Sequence, residues 1–459
     1  MRKYLISFIA ILAVVALVAP SFAVEFKYGG MYRWRIQAKD NMLDANDDSD
    51  DTANWIDQRI RMYFDFIGSE NLKLVTKWEA DTMWGFERTY SGMAGRHGGG
   101  DVGADAVNLE MKNVYIDFAI PNTPVRTQIG VQGFSLLNGW IFEDDASAAI
   151  FNFTLDPVKV RIGYVAALNQ DVINDFNDMD DFFLELKYAE GPLSLAGVLF
   201  YQYGHDSDFG YPNYISYAGN QSISGTRVVD KKDNQLVDLG FSIDYKMDWL
   251  AAYLRFVKNF GSYDIAGTDD SEDYKGWLIE GNISYFMAPF TLNLGGFVAS
   301  DKFAYPAGRS HYWSEIAGIG TLDDNVGGAR QPYWNEGSSY AMGGGVTNRG
   351  NYDMGDAPRN LWTIWVGGTW QALDTTKVTL NYYYLGTYKK VVSEVDSRGN
   401  VLEKDDSLGH ELNLYIDQKV VDGLELRLVG AYLIAGDALT RSSTDDNIYE
   451  VGAQLLWKF

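Results

Sequence analysis

The sequence predicts an all-β fold, a closed transmembrane antiparallel β-barrel of about eighteen strands, with sixteen as the alternative count. Three observations lead to this fold class. Strand-like alternation of apolar and polar residues recurs from Glu25 to the C-terminus, and short connections alternate with long ones. After residue 23, no apolar stretch approaches the roughly 18 residues that a membrane-spanning helix needs. A closed barrel pairs every backbone group between strands, so it can cross a bilayer without helices.

Residues 1–23 have the features of a signal peptide that is removed on export. Arg2 and Lys3 supply a basic start, an apolar run follows, and Ser21-Phe22-Ala23 is a small-x-small cleavage sequence. An uncleaved anchor is the alternative, but the apolar run is short for a spanning helix. Residues 24–459 are then predicted to form one barrel domain.

Composition restricts the function classes. The chain contains no cysteine, so an exported protein of this sequence cannot depend on disulfides, thiolate-bound metals or a thiol nucleophile. Removal of Arg2 and Lys3 takes the 38 basic residues to 36 against 62 acidic ones, a net charge of −26. A nucleic-acid partner is excluded, because phosphate binding needs a basic surface. No cofactor is expected.

The alternation is clearest in residues 25–37, EFKYGGMYRWRIQ, where aromatic residues occupy one parity and charged residues the other. Because successive side chains of a strand point to opposite faces, we expect the apolar parity to face lipid and the charged parity to face a wet lumen. The same pattern predicts strands near 25–38, 55–67, 72–84, 107–119, 125–133, 148–155, 158–167, 182–189, 193–204, 236–247, 249–260, 276–287, 290–300, 360–371, 377–388, 408–419, 424–435 and 447–459.

The connections support the barrel more strongly than any single strand. Short turns such as Asp156-Pro157 and Ala288-Pro289 alternate with long polar loops. Bacterial barrels have short periplasmic turns and long outer loops, and an even strand count places both termini in the periplasm. A soluble all-β protein is the alternative, but it would not sort its turns by length in strict alternation.

Several stretches resemble the outer-membrane homotrimeric porins of sulfate-reducing bacteria. They lie in the first third of the chain and comprise Asp57-Gln58-Arg59-Ile60-Arg61, Gly68-Ser69-Glu70-Asn71-Leu72, Trp78-Glu79 to Trp84-Gly85, Ala104-Asp105-Ala106-Val107-Asn108, Lys112-Asn113-Val114-Tyr115-Ile116-Asp117, Ile120-Pro121-Asn122-Thr123-Pro124 and Ile129-Gly130-Val131-Gln132. The resemblance implies a homotrimer of passive diffusion channels for small hydrophilic solutes and ions in a Gram-negative outer membrane. The Pro-Glu-Phe-Gly-Gly loop motif of enteric general porins is absent from the sequence.

The C-terminal Phe459, at the end of an alternating strand, resembles the signal that the barrel-assembly machinery reads. The alternative is an ordinary aromatic residue of the girdle at the membrane interface, and both interpretations can hold together.

Residues 134–147, FSLLNGWIFEDDAS, form a connection that is more apolar than the other long ones, yet it carries Glu143, Asp144 and Asp145 together. An apolar loop is poorly suited to a wet surface, and in porin-like barrels the corresponding loop folds into the lumen. We therefore predict that this loop folds inward and narrows the pore; an external flap is the alternative.

Basic residues of the first three strands share the lumen parity: Arg33, Arg35, Arg59, Arg61, Lys73 and Lys77. The arginines of neighbouring strands could form a ladder that faces the carboxylates of the loop, so that a transverse field acts on solutes in the constriction. The alternative is local pairing with acidic residues of the same parity, namely Asp57, Asp65, Glu79, Asp81, Glu425 or Glu450.

Other features leave the function open between a general porin and two alternatives. A substrate-specific channel for anions or carbohydrates is the main alternative. Aromatic residues of the loop 304–359 could bind sugars, or they could pack the loop on itself. A barrel enzyme is less favoured, because His97, His205, His311 and His410 are scattered and no nucleophile pairs locally with a base.

The acidic outer loops could bind lipopolysaccharide through divalent ions, or could simply be solvated. Asp44-x-Asn46-x-Asp48 begins like a calcium loop, but Ser49 replaces the required glycine. No specific metal site is predicted.

Overall fold

The computed structural model describes residues 24–41, 52–85, 100, 102, 109–168, 179–204, 231–265, 271–304, 307–308, 314–318, 320–322, 360–395, 401–438 and 447–459. No helix in these ranges is long and apolar enough to cross a membrane. Twenty strands lie in the described ranges: β1 Glu25–Asp40, β2 Ala53–Ser69, β3 Leu72–Met83, β4 Leu109–Ala119, β5 Val125–Leu136, β6 Phe142–Leu155, β7 Val158–Leu168, β8 Met179–Glu190, β9 Leu193–Gly204, β10 Lys231–Lys246, β11 Leu250–Ile265, β12 Ser271–Asp273, β13 Trp277–Met287, β14 Phe290–Ala299, β15 Ala307–Gly308, β16 Leu361–Leu373, β17 Thr376–Val395, β18 Val401–Val421, β19 Leu424–Ala435 and β20 Ile448–Lys458. The predicted signal peptide lies outside the described residues.

Eighteen of these strands form one closed antiparallel barrel. Each pairs with its neighbour in chain order, and β20 closes the ring against β1 from Met31↔Lys458 to Asp40↔Tyr449. The two remaining strands are short: β12 pairs with β11, and β15 pairs in parallel with β6. The predicted fold class and the predicted count of about eighteen are confirmed.

The barrel has two unlike ends. Eight connections of two to five residues lie at one end, which we call the short-turn end, and the start of β1 and the C-terminal Phe459 lie there. The other connections lie at the opposite, long-loop end, and several strands there are longer than predicted. β17 and β18 pair as far as Val395↔Val401, whereas the sequence placed them at 377–388 and 408–419. Beyond the apolar belt both parities are polar, so hydrophobic alternation cannot mark where such a strand ends.

The two faces of the sheet follow the predicted parity in the first strands. Phe26, Tyr28 and Ile36 on β1 point outward, and their side chains are at least two-fifths exposed. Arg33 and Arg35, of the opposite parity, point inward and are buried. Outward-facing apolar residues recur on the other barrel strands, so the barrel carries an apolar surface on its outside.

The lumen is not uniformly wet, and the sequence expectation is wrong on this point. A continuous apolar cluster fills part of it near the long-loop end and includes Leu136, Trp140, Phe142, Phe200 and Phe297. Inward-facing residues of many strands join this cluster, because chain segments that enter the lumen supply apolar partners for them. The barrel therefore has an apolar outside and, over part of its length, an apolar inside.

The C-terminal residue helps to close the ring. The backbone N–H of Gly30 donates to the carbonyl O of Phe459 at 2.9 Å, and the N–H of Phe459 donates to the carbonyl O of Gly30 at 3.1 Å. The Phe459 ring lies over Gly30, where a Cβ would be 2.7 Å from the ring atom Cζ and would collide with the carbonyl O of Arg61.

We expect the substitution Gly30→Val to destabilise the barrel by about 1–3 kcal/mol, because the added side chain overpacks the seam between β1 and β20. The measurement is the temperature at which the folded band disappears on gels run in sodium dodecyl sulfate. Gly430→Val is the matched control, since a Cβ at Gly430 meets no atom within 4 Å. Equal melting of the two variants would contradict a tightly packed seam.

Candidate functional site: the narrowed lumen

The hairpin of β5 and β6 leaves the barrel wall near the long-loop end. β5 pairs with β4 only as far as Val114↔Val131, whereas it pairs with β6 up to Leu136↔Phe142. Gly130 lies where the two strands part, with a φ of +133°, and a Cβ there would collide with the carbonyl O of Val114. The backbone at this position thus requires glycine. We call residues 134–147 the inner hairpin.

The tip of the inner hairpin packs against inward-facing residues of distant strands. The indole N–H of Trp140 donates to Glu280 Oε2 on β13 at 2.6 Å, and the Trp140 ring lies 5.4 Å from that of Phe297 on β14. Leu137 and Ile141 lie over Gly240 on β10, where a Cβ would come within 3 Å of both. The predicted loop is therefore two strand ends joined by a short turn, and this turn contacts the lumen side of β10, β13 and β14.

Glu280 is the polar anchor of this contact. Besides Trp140, it accepts hydrogen bonds from Arg255 Nη1 at 2.8 Å and from the Tyr253 hydroxyl at 2.9 Å, and its side chain is buried. A buried carboxylate needs such partners, because an unpaired charge in a dry site is costly. The sequence analysis missed Glu280, since nothing local marks a residue whose partner lies 140 positions earlier in the chain.

The three carboxylates of the inner hairpin do not act as one cluster. Asp145 Oδ1 accepts from Asn113 Nδ2 at 2.9 Å, and Asp145 Oδ2 lies 3.7 Å from Lys112 Nζ. Asp144 Oδ1 accepts the backbone N–H of Asp145 at 2.7 Å, and Glu143 is exposed. Asp145 thus lies beside a basic residue of the wall.

The predicted arginine ladder is present as a row of neighbours, since Arg33 lies opposite Arg59 in the register of β1 and β2. Two of its members are paired locally with carboxylates. Arg35 Nε is 2.9 Å from Asp57 Oδ1, and Arg59 Nε is 2.7 Å from Asp81 Oδ1. The geometry thus favours the alternative of local pairing for Arg35 and Arg59, because their charges are compensated before a solute could meet them.

The other predicted basic residues are more accessible. The Arg61 side chain is 22% exposed and pairs with Glu79, and the Lys73 side chain is 30% exposed at 3.9 Å from Asp117. Lys77 lies within electrostatic reach of Asp145 and of Lys112. Of these residues, Arg61 and Lys77 lie in the group of charges beside the inner hairpin, whereas Lys73 lies beside Asp117.

Lys112 is a functional candidate that parity reasoning missed. The register between β3 and β4 shifts between Lys77↔Asn113 and Trp78↔Met111, and this bulge changes the parity of the residues beyond it. Lys112 lies 3.7 Å from Glu110 and 3.9 Å from Glu79, both in the same group of charges. A bulge leaves no simple sequence pattern, so only the structure shows this residue.

A second segment enters the lumen from the connection between β14 and β16. Its described residues are 314–318 and 320–322, and we call them the lumen segment. Glu411 on β18 accepts the backbone N–H groups of Glu315, Ile316 and Ala317 at 2.8–2.9 Å. A carboxylate with three backbone donors is strongly held, so this segment is fixed to the wall.

The lumen segment also contacts the first strand. Arg35 Nη1 donates to the carbonyl O of Thr321 at 3.0 Å and to that of Leu322 at 3.1 Å. Arg427 on β19 donates to Thr321 Oγ1 at 3.1 Å. Two basic residues of the wall therefore position this segment, and Arg35 has a structural role that the sequence did not predict.

The two inward segments are linked through β15. Ala307 and Gly308 pair with Phe142 and Glu143 beside the turn of the inner hairpin, and Ala304 exchanges hydrogen bonds with Asn259 on β11. The chain that follows β14 thus passes beside β11 and β6 before the lumen segment meets β18 and β1. Together the two segments occupy part of the lumen near the long-loop end, and inward-facing residues toward the short-turn end, such as Lys73 and Lys377, are partly exposed.

The remaining predicted site residues fall elsewhere. His410 lies on the outside of the barrel, stacked 4.7 Å from the ring of Tyr384, and its Nδ1 is 2.7 Å from the Tyr382 hydroxyl. His97, His205 and His311, the calcium-like sequence at 44–48 and most of the acidic loops lie outside the described residues. Within the described ranges, no three His, Cys, Asp or Glu side chains are grouped so that they could hold a metal ion.

Comparison with known proteins gives matches at the level of structure. No family model matches the sequence, and no curated protein matches it. OccAB4 of Acinetobacter baumannii is similar in structure with a TM-score of 0.54 and 11% identity, over 96% of this chain and 99% of that one. The outer membrane protein OpdK of Pseudomonas aeruginosa has a TM-score of 0.52 and 12% identity over 95% and 98%. OccK8 (OprE) of Pseudomonas aeruginosa has a TM-score of 0.51 and 9% identity over 95% and 98%.

What these proteins share with this chain is the fold. The coverage includes nearly the whole of each chain, so the likeness extends around the complete barrel and is not limited to a few strands. Identities near one in ten do not carry residue roles from one protein to another. The roles of individual side chains must therefore come from the geometry described above.

We expect Arg59→Ala to lower the free energy of unfolding by about 3–5 kcal/mol, because it leaves Asp81 buried without its partner. The measurement is thermal unfolding in detergent. Lys73→Ala is the control, since this partly exposed pair contributes about 1 kcal/mol or less. The double variant Arg59→Met with Asp81→Leu should recover most of the lost free energy of unfolding, because it removes both buried charges. If Arg59→Ala is as stable as Lys73→Ala, the pair of Arg59 and Asp81 does not stabilise the barrel as we expect.

Proposed function

We propose that this protein is a channel of a Gram-negative outer membrane through which small hydrophilic solutes and ions diffuse passively. One observation carries the proposal: a closed barrel of eighteen strands with an apolar outer surface and a charged inner wall, narrowed by two segments that enter it. The apolar outside suits acyl chains, and strands of this length suit a bilayer crossed at a tilt. The charged inner wall suits water and ions.

The narrowing supports a second, more specific candidate. A wide and empty barrel would sort solutes by size alone, but here the inner hairpin and the lumen segment restrict the lumen and place Asp145 beside Lys112. A substrate-specific channel is therefore the alternative that the structure favours after a general porin. An enzyme receives less support, because the one histidine among the described residues, His410, lies on the outside of the barrel.

Several further proposals accompany the channel. We propose that residues 1–23 direct export and are removed, that the short-turn end with both termini faces the periplasm, and that Phe459 contributes to recognition by the barrel-assembly machinery. We also propose a homotrimer, with lipopolysaccharide around its long-loop end. The support for the trimer is the resemblance of residues 57–61 and the neighbouring stretches to trimeric porins.

The test is the conductance of the purified protein in a planar lipid bilayer bathed in potassium chloride. We expect stepwise increases of current as single barrels or trimers insert. Insertion steps that never appear, although the protein melts cooperatively as a barrel in detergent, would reject the channel and favour an enzyme or a closed structural protein.

The charge pattern predicts which residues set ion selectivity. Replacing Lys77 and Lys112 with glutamine removes two positive charges beside Asp145, so the reversal potential in a salt gradient should shift toward cation selectivity. Lys275→Gln is the control, because Lys275 is 70% exposed and pairs with Asp273 away from the lumen wall. An unchanged reversal potential in the double variant would mean that the narrowest section of the lumen does not lie beside Lys77 and Lys112.

The contact between Trp140 and Glu280 predicts a second change. Trp140→Ala removes the donor and the ring that hold the tip of the inner hairpin, so we expect a higher single-channel conductance and larger current noise. Trp370→Ala, on the outside of β16, should leave the conductance unchanged. If the current through the Trp140→Ala protein matches the wild type, the hairpin does not narrow the path.

A further inference from the structure

The inner wall of the barrel changes its chemical character around the ring. β14 and β16 are neighbouring barrel strands, and neither FTLNLGGFVA nor LWTIWVGGTWQAL contains an ionisable residue. Nine barrel strands away, the wall around β4 carries Lys73, Lys77, Asp117 and Arg126. A charged side and an uncharged side thus face each other across the lumen.

The uncharged side is nevertheless polar. Its inward-facing residues, which we call the neutral wall, are Asn282, Ser284, Thr291, Asn293, Gly295, Trp365, Gly367, Thr369, Thr379 and Asn381. All of them except Gly367 are partly exposed. The neutral wall therefore combines amides, hydroxyls and glycines with a single indole, and it presents hydrogen-bonding groups without charge.

The indole of Trp365 packs against this wall. A Cβ on Gly295 would be 2.5 Å from Cε2 and Cζ2 of Trp365, so the ring covers bare backbone at a position where any side chain would displace it. The indole N–H donates to Asn282 Oδ1 at 3.2 Å and fixes the ring in its plane. Trp365 also packs against the apolar cluster and remains partly exposed, so part of its indole borders the lumen.

A chain of hydrogen bonds continues from Trp365 along the wall. Asn282 Nδ2 donates to Ser284 Oγ at 3.0 Å, and the Ser284 hydroxyl donates to Asn293 Oδ1 at 2.7 Å. With Oδ1 used as the acceptor, the Asn293 amide is oriented, and its Nδ2 donates to no other residue in the described part of the chain. An ordered amide donor is thus available to a solute on the same stretch of wall as the flat ring.

We propose that the neutral wall around Trp365, Asn282 and Asn293 is a binding subsite for saccharides on the path of the proposed channel. A pyranose presents C–H groups on one face and hydroxyls at its edge, which match a flat indole beside amide and hydroxyl groups. An anion finds no counter-charge on β14 or β16, and the inward-facing basic residues of the flanking strands, Arg255 on β11 and Lys377 on β17, are already paired with Glu280 and Asp417. The inference deepens the proposed function and rests on the lumen being a path for solutes.

Two measurements with maltotriose as the probe separate this inference from the channel itself. The first is isothermal titration calorimetry with the full-length protein in detergent, which needs no conduction. The second is the current through single channels in potassium chloride, where we expect saturable, concentration-dependent interruptions. Maltotriose that binds to a non-conducting protein would reject the channel and support the subsite; a conducting protein that neither binds the trisaccharide nor is interrupted by it would overturn the subsite and leave the channel intact.

Substitutions test whether the neutral wall is the site. We expect Trp365→Ala to raise the dissociation constant for maltotriose about tenfold and to remove most interruptions, while the open-channel current persists. Trp370→Ala, five positions along the same strand but on the outside of the barrel, should bind like the wild type. Wild-type affinity in Trp365→Ala would overturn the proposal.

A milder variant covers the case in which Trp365→Ala does not fold. Asn293→Ala removes only the half-exposed end of the hydrogen-bond chain, and we expect the dissociation constant to rise several-fold. Asn152→Ala is its control, because Asn152 faces the lumen on the charged side and donates to the carbonyl O of Arg126. Equal losses of affinity in the two asparagine variants would contradict a subsite on the neutral wall.

Discussion

Closure of the sheet between β1 and β20 is the constraint on which the rest of the structure depends. An open sheet of eighteen strands would leave two edges with unpaired backbone groups, which cannot be tolerated in an apolar environment. Here the ladder from Met31↔Lys458 to Asp40↔Tyr449 removes both edges, and Phe459 extends it by pairing with Gly30. Once the ring is closed, every strand has one face toward the outside and one toward the lumen, so alternate side chains lie in different environments.

Closure also creates a problem, because a ring of this size encloses more volume than its own inward side chains can fill. The protein fills part of the volume with its own chain. The inner hairpin is anchored on Glu280 by Trp140, and the lumen segment is anchored on Glu411 through three backbone N–H groups. Both anchors are buried carboxylates that accept hydrogen bonds from inserted chain. Apolar residues around them form a core that resembles the interior of a soluble protein.

The two inserted segments leave a lumen wall with two chemically distinct sides. On one side, charges lie close together and compensate each other locally, as in the group formed by Lys112, Asp145 and Glu79. On the other side, β14 and β16 supply only neutral groups, and Trp365 packs where Gly295 leaves room for it. Such a division would let ions and uncharged solutes interact with different parts of one passage. An ion loses its hydration water at lower cost beside opposite charges, and an uncharged solute does so beside neutral hydrogen-bonding groups.

The sequence by itself determined the fold class, the strand count, the alternation of short and long connections and the faces of the first strands, because the period of two and the turn residues are local properties of the chain. Only the tertiary structure decided three features: the contacts of the inner hairpin, the pairing of Arg35 with Asp57 and the inward position of Lys112. Register, a bulge and contacts across the lumen join residues that are far apart in sequence. No periodic pattern encodes which distant carboxylate will receive the indole N–H of Trp140, so its anchoring role became visible only in the closed barrel.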